Sequence, residues 1–150
     1  MSDDFQAALA VALRRLETSD RYEAEVRKAL GRYSSATVEK VLSYLKEKRF
    51  LDDARTTETV LQFNEGKRAV GVEKVRQKLE SRGAPEGLLH RAVTVTANGD
   101  AERAELLLKT RYADAKMEDR AKAGRFLYSR GFREETIESV LEGHFGSLDF

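Results

Sequence analysis

The chain of 150 residues has no cysteine, no tryptophan and a single proline. Without cysteine it can build neither a disulfide framework nor a thiolate metal centre. With one proline, few clusters of turn residues and 35% charged residues, the composition favours an all-α fold. No apolar run approaches the roughly 20 residues that span a bilayer, so no membrane partner is expected. The opening Met1-Ser-Asp-Asp-Phe lacks the basic stretch and apolar run of a secretion signal, and a soluble cytoplasmic protein is the expectation. Charge of one sign is missing too. The 27 Lys/Arg against 26 Asp/Glu leave +1, so the molecule as a whole is no electrostatic nucleic-acid binder. Residues 1–51 carry ten bases and eight acids, 52–97 eight and seven, 98–150 nine and eleven, so any basic site must be local.

Constellations for catalysis are equally scarce. His90 and His144 stand 54 residues apart with no clustered partners of the kind metal sites need. Ser34-Ser35 reads as a helix cap, since no nucleophile elbow surrounds it. No glycine-rich loop follows a strand to cradle a phosphate. Asp52-Asp53 reads as acids at a helix N-terminus in preference to a Mg²⁺ pair. No catalytic, metal-binding or cofactor-binding residue is assigned, and the chain is expected not to be an enzyme.

What is present is a repeat. Residues 71–93 read as two helices joined at Arg82-Gly83-Ala84, with Val72, Val75 and Leu79 on one apolar stripe and Leu88, Leu89, Ala92 and Val93 on the next. Gly83 supplies the left-handed residue that ends a helix, and Pro85 suits the start of another. From Leu79, Arg82 and Gly83 lie at +3 and +4; from Leu127, so do Arg130 and Gly131, with Ile137, Val140 and Leu141 following in register. From Leu30 the set is Val38, Val41 and Leu42, across a connection two residues shorter. Leu30, Leu79 and Leu127 are 49 and 48 residues apart, the mark of a repeat array.

In chain order, helix over about 4–17 presents Phe5, Leu9, Ala12, Leu13 and Leu16. Asp20 with Glu23 has capping-box spacing for a helix to about Arg32 with Tyr22, Val26, Ala29 and Leu30 inward. A helix after Ser34-Ser35 closes at Lys48-Arg49; one over about 53–65 carries Val60, Leu61 and Phe63 and stops at Gly66. Asn98-Gly99-Asp100 reads as a turn plus cap, Asp114 as the next cap, and the last helix runs from about Glu134 to Gly143. The expectation is nine helices in one domain over 1–150, arranged as three tandem three-helix repeats (about 1–51, 52–97 and 98–150). Such units bury little alone and must stack, predicting a short, curved, elongated solenoid.

Binding is what remains. Lys74, Lys78 and Arg82 form a row at i, i+4 and i+8, preceded by the basic loop at Lys67 and Arg68. Residues 66–84 hold six bases against two acids, and Arg76 is neutralised by Glu73 and Glu80. The third repeat offers Lys122 and Arg130 at equivalent places. The row is either a solvated face or a contact strip for an acidic protein surface or nucleic-acid phosphate. A helix–turn–helix reading of 71–96 finds only His90, Arg91 and Thr94 as base readers, too few to argue sequence specificity.

These residues resemble a known family. Tyr44-Leu-Lys-Glu-Lys-Arg-Phe-Leu-Asp-Asp-Ala-Arg is similar to the L-x-x-x-G-Y-L-D-D-x-R signature of RecX regulatory proteins, with Arg49 in place of the glycine. Gly71-Val-Glu-Lys-Val-Arg-Gln-Lys-Leu-Glu-Ser-Arg-Gly resembles their central G-x-x-x-I-x-x-x-L-x-x-K/R-G, and Phe126-Leu-Tyr-Ser-Arg-Gly-Phe with Ile137, Val140 and Leu141 their closing F-L-x-R-G-F. Arg21-Tyr22-Glu-Ala-Glu-Val resembles the opening R-S-x-x-E-L, Tyr22 replacing the serine cap. The resemblance implies three tandem helical repeats and a non-enzymatic regulator, usually an inhibitor, of the recombinase RecA in recombination, DNA repair and the SOS response. Such a regulator binds in the groove of the RecA–DNA filament and lowers ATP hydrolysis, strand exchange and co-protease action. The expected partners are the RecA filament and the phosphate backbone of single- or double-stranded DNA, met by a monomer without cofactor. The alternative is a direct nucleic-acid binder using helix–turn–helix-like pairs. Lys67, Arg68, Lys74, Lys78, Arg82, Lys122 and Arg130 are the candidate contacts on the residues' own evidence.

Overall fold

The computed structural model describes residues 3–146 and is all-helical, with no strand among the described residues. The helices are α1 (Asp3–Thr18), α2 (Glu23–Ala29), α3 (Ser35–Glu47), α4 (Asp53–Gln62), α5 (Val72–Arg82), α6 (Glu86–Arg111), α7 (Arg120–Ser129) and α8 (Glu134–Phe145). Single 3₁₀ turns lie at Gly66–Arg68 and Met117–Asp119. The described residues thus hold eight α-helices where nine were expected.

The difference is at Asn98-Gly99-Asp100, which does not turn but continues inside α6. Two helix-unfavourable residues cost about 1 kcal/mol or more, and tertiary bonds outweigh them. Asp100 is buried, and its Oδ2 accepts the Val72 N–H at 2.9 Å. Its Oδ1 accepts from the Arg103 guanidinium at 2.9 Å, and that guanidinium also donates to the Thr96 carbonyl. A Cβ at Gly99 would lie 2.6 Å from Arg103 Nη1, so the glycine clears a path for that arginine instead of making a turn.

Two compact units emerge, one of residues up to 59 with 79–88, the other of 60–78 with 89 onward. The first unit buries Phe5, Ala8 and Ala12 of α1 with Val26, Leu30, Val38, Val41, Leu42 and Leu45. Leu13, expected inward, is exposed. Tyr22 is fully buried, and its hydroxyl lies 2.7 Å from Thr57 Oγ1. Because Thr57 gives its own proton to the Asp53 carbonyl, Tyr22 is the donor. Here α4 departs from expectation: its buried residues are Thr56 and Thr57, while Phe63 lies beyond its end and is exposed. The buried tyrosine requires hydrogen-bonding partners on α4, so polar residues face inward there. The second unit buries Ala104, Leu107 and Leu108 of α6 with Ala123, Leu127, Phe132, Ile137, Val140 and Leu141.

Three helix ends share one geometry. After α3, α5 and α7 the residue in the left-handed region is Arg49 (φ 63°), Gly83 (φ 82°) and Gly131 (φ 88°). The next N–H then closes on the carbonyl five residues back: Phe50 on Leu45, Ala84 on Leu79, Phe132 on Leu127. This six-to-one bond is the Schellman closure, and it is why a glycine recurs after α5 and α7. Arg49 adopts the same conformation with a side chain, at a cost of about 1 kcal/mol. Arg49→Gly is therefore expected to stabilise the chain by up to about 1 kcal/mol, read as a higher urea midpoint; an unchanged or lower midpoint contradicts it.

Caps elsewhere divide between local and tertiary partners. Ser34 Oγ accepts the Thr37 N–H at 3.2 Å, and Asp52 Oδ1 the Arg55 N–H at 3.1 Å, both as expected. The Asp20–Glu23 capping box does not form. Instead Glu25 accepts the Tyr22 N–H at 2.9 Å, Asp53 Oδ1 accepts the Glu23 N–H at 2.8 Å, and Asp20 pairs with Arg55 at 3.0 Å. Asp114 is exposed, and Asp119 takes the Lys116 N–H in its place.

Candidate functional site

The arginines of the two Arg-Gly hinges are structural clasps before they are anything else. Arg82 places its guanidinium 3.0 Å from Glu25 Oε1 and 5.1 Å above the Tyr22 ring, and donates to the Asp20 carbonyl at 3.1 Å. Arg130 lies 5.0 Å from the Phe126 ring centroid and donates to the carbonyls of Lys67 and Ala69, both at 2.9 Å. The bonds to Asp20 and Ala69 span 62 and 61 residues, so each arginine reaches back to the backbone just before an earlier helix. Asp53 and Asp100 recur in the same way, capping α2 and α5 across 30 and 28 residues.

Electrostatics follow from these contacts. Burial pushes the Glu25 carboxyl up. The Arg82 and Tyr22 hydrogen bonds and the positive charge of Arg82 and Arg21 outweigh it, leaving the group below the usual carboxylate range. At Asp53 and Asp100 burial wins, and both carboxyls are held above that range despite their backbone hydrogen bonds. Asp52 and Asp53, read from the sequence as acids at a helix N-terminus, are both caps, Asp52 of α4 and Asp53 of α2. His144 Nε2 donates to the Tyr112 carbonyl at 2.9 Å, while His90 is exposed.

Six of the seven candidate contacts belong to the second unit: Lys67, Arg68, Lys74, Lys78, Lys122 and Arg130; Arg82 belongs to the first. Lys67, Arg68, Lys74, Lys78 and Lys122 are exposed. Arg68 lies 5.8 Å from the Phe63 ring centroid. Arg82 and Arg130 have their charge directed inward, which sequence spacing alone did not reveal. Arg76 pairs with Glu73 at 3.8 Å as expected, and Arg133 also holds Glu73, at 3.0 Å.

Lys74 is fixed by a close backbone approach. Its Cγ would lie 2.4 Å from a Cβ built on Gly131, so the lysine stem crosses over that glycine. Glu73, Lys74, Gln77, Tyr128, Ser129 and Phe132 then line one open cleft. Tyr128 is 74% exposed at its edge. Lys122, Arg125 and Tyr128 are all exposed at a spacing of three along α7, and so share one face. Arg125 and Tyr128 went unnoticed in the sequence. A spacing of three from Lys122 signals the arginine, and the place of Tyr128 just after the repeat anchor Leu127, where Glu80 follows Leu79, signals an outward ring.

No family model matches the chain. Over 136 residues it is 32% identical to the regulatory protein RecX of Leptothrix cholodnii, covering 87% of this chain and 84% of that protein. Over 128 residues it is 26% identical to the regulatory protein RecX of Pectobacterium atrosepticum, covering 83% and 78%. Its fold is similar to the crystal structure of RecX from Lactobacillus salivarius, with a TM-score of 0.77 at 18% identity over 95% of this chain and 97% of that one.

Proposed function

The chain belongs to the RecX family of regulatory proteins, and on that premise we propose that it is a non-enzymatic inhibitor of RecA. It lies as a cytoplasmic monomer of three tandem helical repeats in the groove of the RecA–DNA filament and lowers ATP hydrolysis, strand exchange and co-protease action. The observation that carries the reading is the division of labour among its bases. Arg82 and Arg130 tie helices together, while Lys67, Arg68, Lys74 and Lys122 are exposed. Lysines so placed suit a partner surface of phosphates or carboxylates, and their contribution weakens with salt.

The test is RecA ATP hydrolysis on single-stranded DNA with the purified chain added. Hydrolysis is expected to slow. Reversal of Lys67, Lys74, Lys78 and Lys122 to Glu is expected to raise the half-inhibiting concentration roughly tenfold or more. Arg82 and Arg130 stay unchanged, because replacing them would disturb the fold and confuse the result. An unaltered rate at saturating protein removes the proposal. A gel shift on DNA without RecA then decides whether direct nucleic-acid binding is the better description.

A further inference from the structure

The cleft between α5 and α7 has a feature that filament regulation does not by itself demand. Tyr128 is the most exposed large apolar side chain among those described, and its ring stacks on no neighbour. Phe63, the next most exposed, differs in that Arg68 already lies over its ring. Along the chain on either side of Tyr128 the charge has one sign. No Asp or Glu occurs between Arg120 and Arg133, and neither Lys122 nor Arg125 has a carboxylate partner among the described residues. Lys74 stands across the cleft, held by its stem over Gly131. The acid of the cleft, Glu73, is taken up by Arg133 and Arg76.

We infer that Tyr128 is a stacking platform for one base of single-stranded nucleic acid, with Lys74, Lys122 and Arg125 holding the adjoining phosphates. A flat ring free on its face, flanked by unpaired cations, is the chemistry that binds single strands without reading sequence. A protein partner would need more. The core of a protein interface is depleted in charge and built from contiguous apolar side chains, whereas Phe132 and Leu127 beside Tyr128 are buried and offer no such patch. The inference deepens the RecA reading by naming where that regulator meets DNA.

The absence of tryptophan supplies the experiment. Tyr128→Trp places a unique fluorophore at the site while keeping an aromatic face. Binding of the full chain to an oligo-dT strand of about 16 nucleotides is followed by anisotropy of a label on the DNA and by tryptophan emission. Quenching that saturates with the anisotropy is expected. Tyr128→Ala is expected to weaken binding roughly tenfold, and an abasic strand of equal length to bind with little quenching. Binding to oligo-dT with tryptophan emission unchanged overturns the inference, as does equal quenching by the abasic strand. Quenching by RecA protein without DNA overturns it in favour of a protein contact. ATP hydrolysis by RecA, measured separately with the unsubstituted chain, reports on the inhibitor reading alone, so the two can fail independently.

Discussion

Gly71→Ala is expected to lower stability by roughly 3 kcal/mol or more, a large loss for the addition of a single methyl group. A Cβ there would sit 2.4 Å from the Gly131 carbonyl oxygen, 2.5 Å from the Gly131 carbonyl carbon and 2.5 Å from Phe132 Cα. All three are backbone atoms and cannot swing aside. The approach is close because the helix start needs it. Gly71 N–H donates to the Arg130 carbonyl at 2.7 Å and Glu73 N–H to the Gly131 carbonyl at 3.1 Å. With Val72 N–H on Asp100, three amide groups opening α5 have partners from elsewhere in the second unit. Separating the segments to admit a methyl group loses two of these bonds, each worth about 1 kcal/mol, on top of the strain. Thermal unfolding by far-ultraviolet circular dichroism should show a midpoint lower by roughly 10 °C. Gly143→Ala is the control: nothing lies within 4 Å of its Cβ, and in a helix it should gain up to about 1 kcal/mol. If Gly71→Ala melts with the parent chain, the account of this junction is wrong.

Asp100→Ala is expected to cost about 3 kcal/mol. It removes the acceptor for the Val72 N–H and leaves Arg103, itself only 20% exposed, without its carboxylate. Asp100→Asn should cost less, because its amide oxygen can take the place of Oδ2 and accept from Val72. The pair also carries a pH signature. Burial, opposed by the Arg103 and Val72 hydrogen bonds and the charges of Arg103 and Arg133, holds the Asp100 carboxyl above its ordinary range. The folded chain therefore takes up this proton before the unfolded chain does. The stabilising contribution is complete below the unfolded value and is lost as pH rises through the raised one. The stability of the parent chain relative to Asp100→Asn, from urea midpoints, should accordingly be larger at acidic pH than at neutrality. A difference that shrinks on acidification would mean that Arg103 outweighs burial.

Both effects sit where pattern reading succeeded or failed for identifiable reasons. The Arg-Gly marker was legible because a left-handed residue after a helix is a local need, met within a few residues at Gly83 and Gly131. Arg49 shows the limit, since the same backbone forms there without glycine. Asn98-Gly99-Asp100 was misread because turn chemistry is also local, whereas the purpose of Asp100 is a helix start 28 residues earlier. The basic row was visible as spacing, but a sequence does not say which cations face a partner.

The sequence by itself determined the helical class, the recurring hinge, the cap at Ser34 and the absence of clustered metal or nucleophile motifs, all consequences of residue type and short-range spacing. Tertiary structure alone decided that α6 runs unbroken, that Asp53 and Asp100 cap distant helices, and that Arg82 and Arg130 turn inward while Lys74 and Tyr128 meet at one cleft. The physical reason is range. Propensity and capping act over a few residues, but the partner of a charge and the neighbours of a ring depend on which distant segments fold against them.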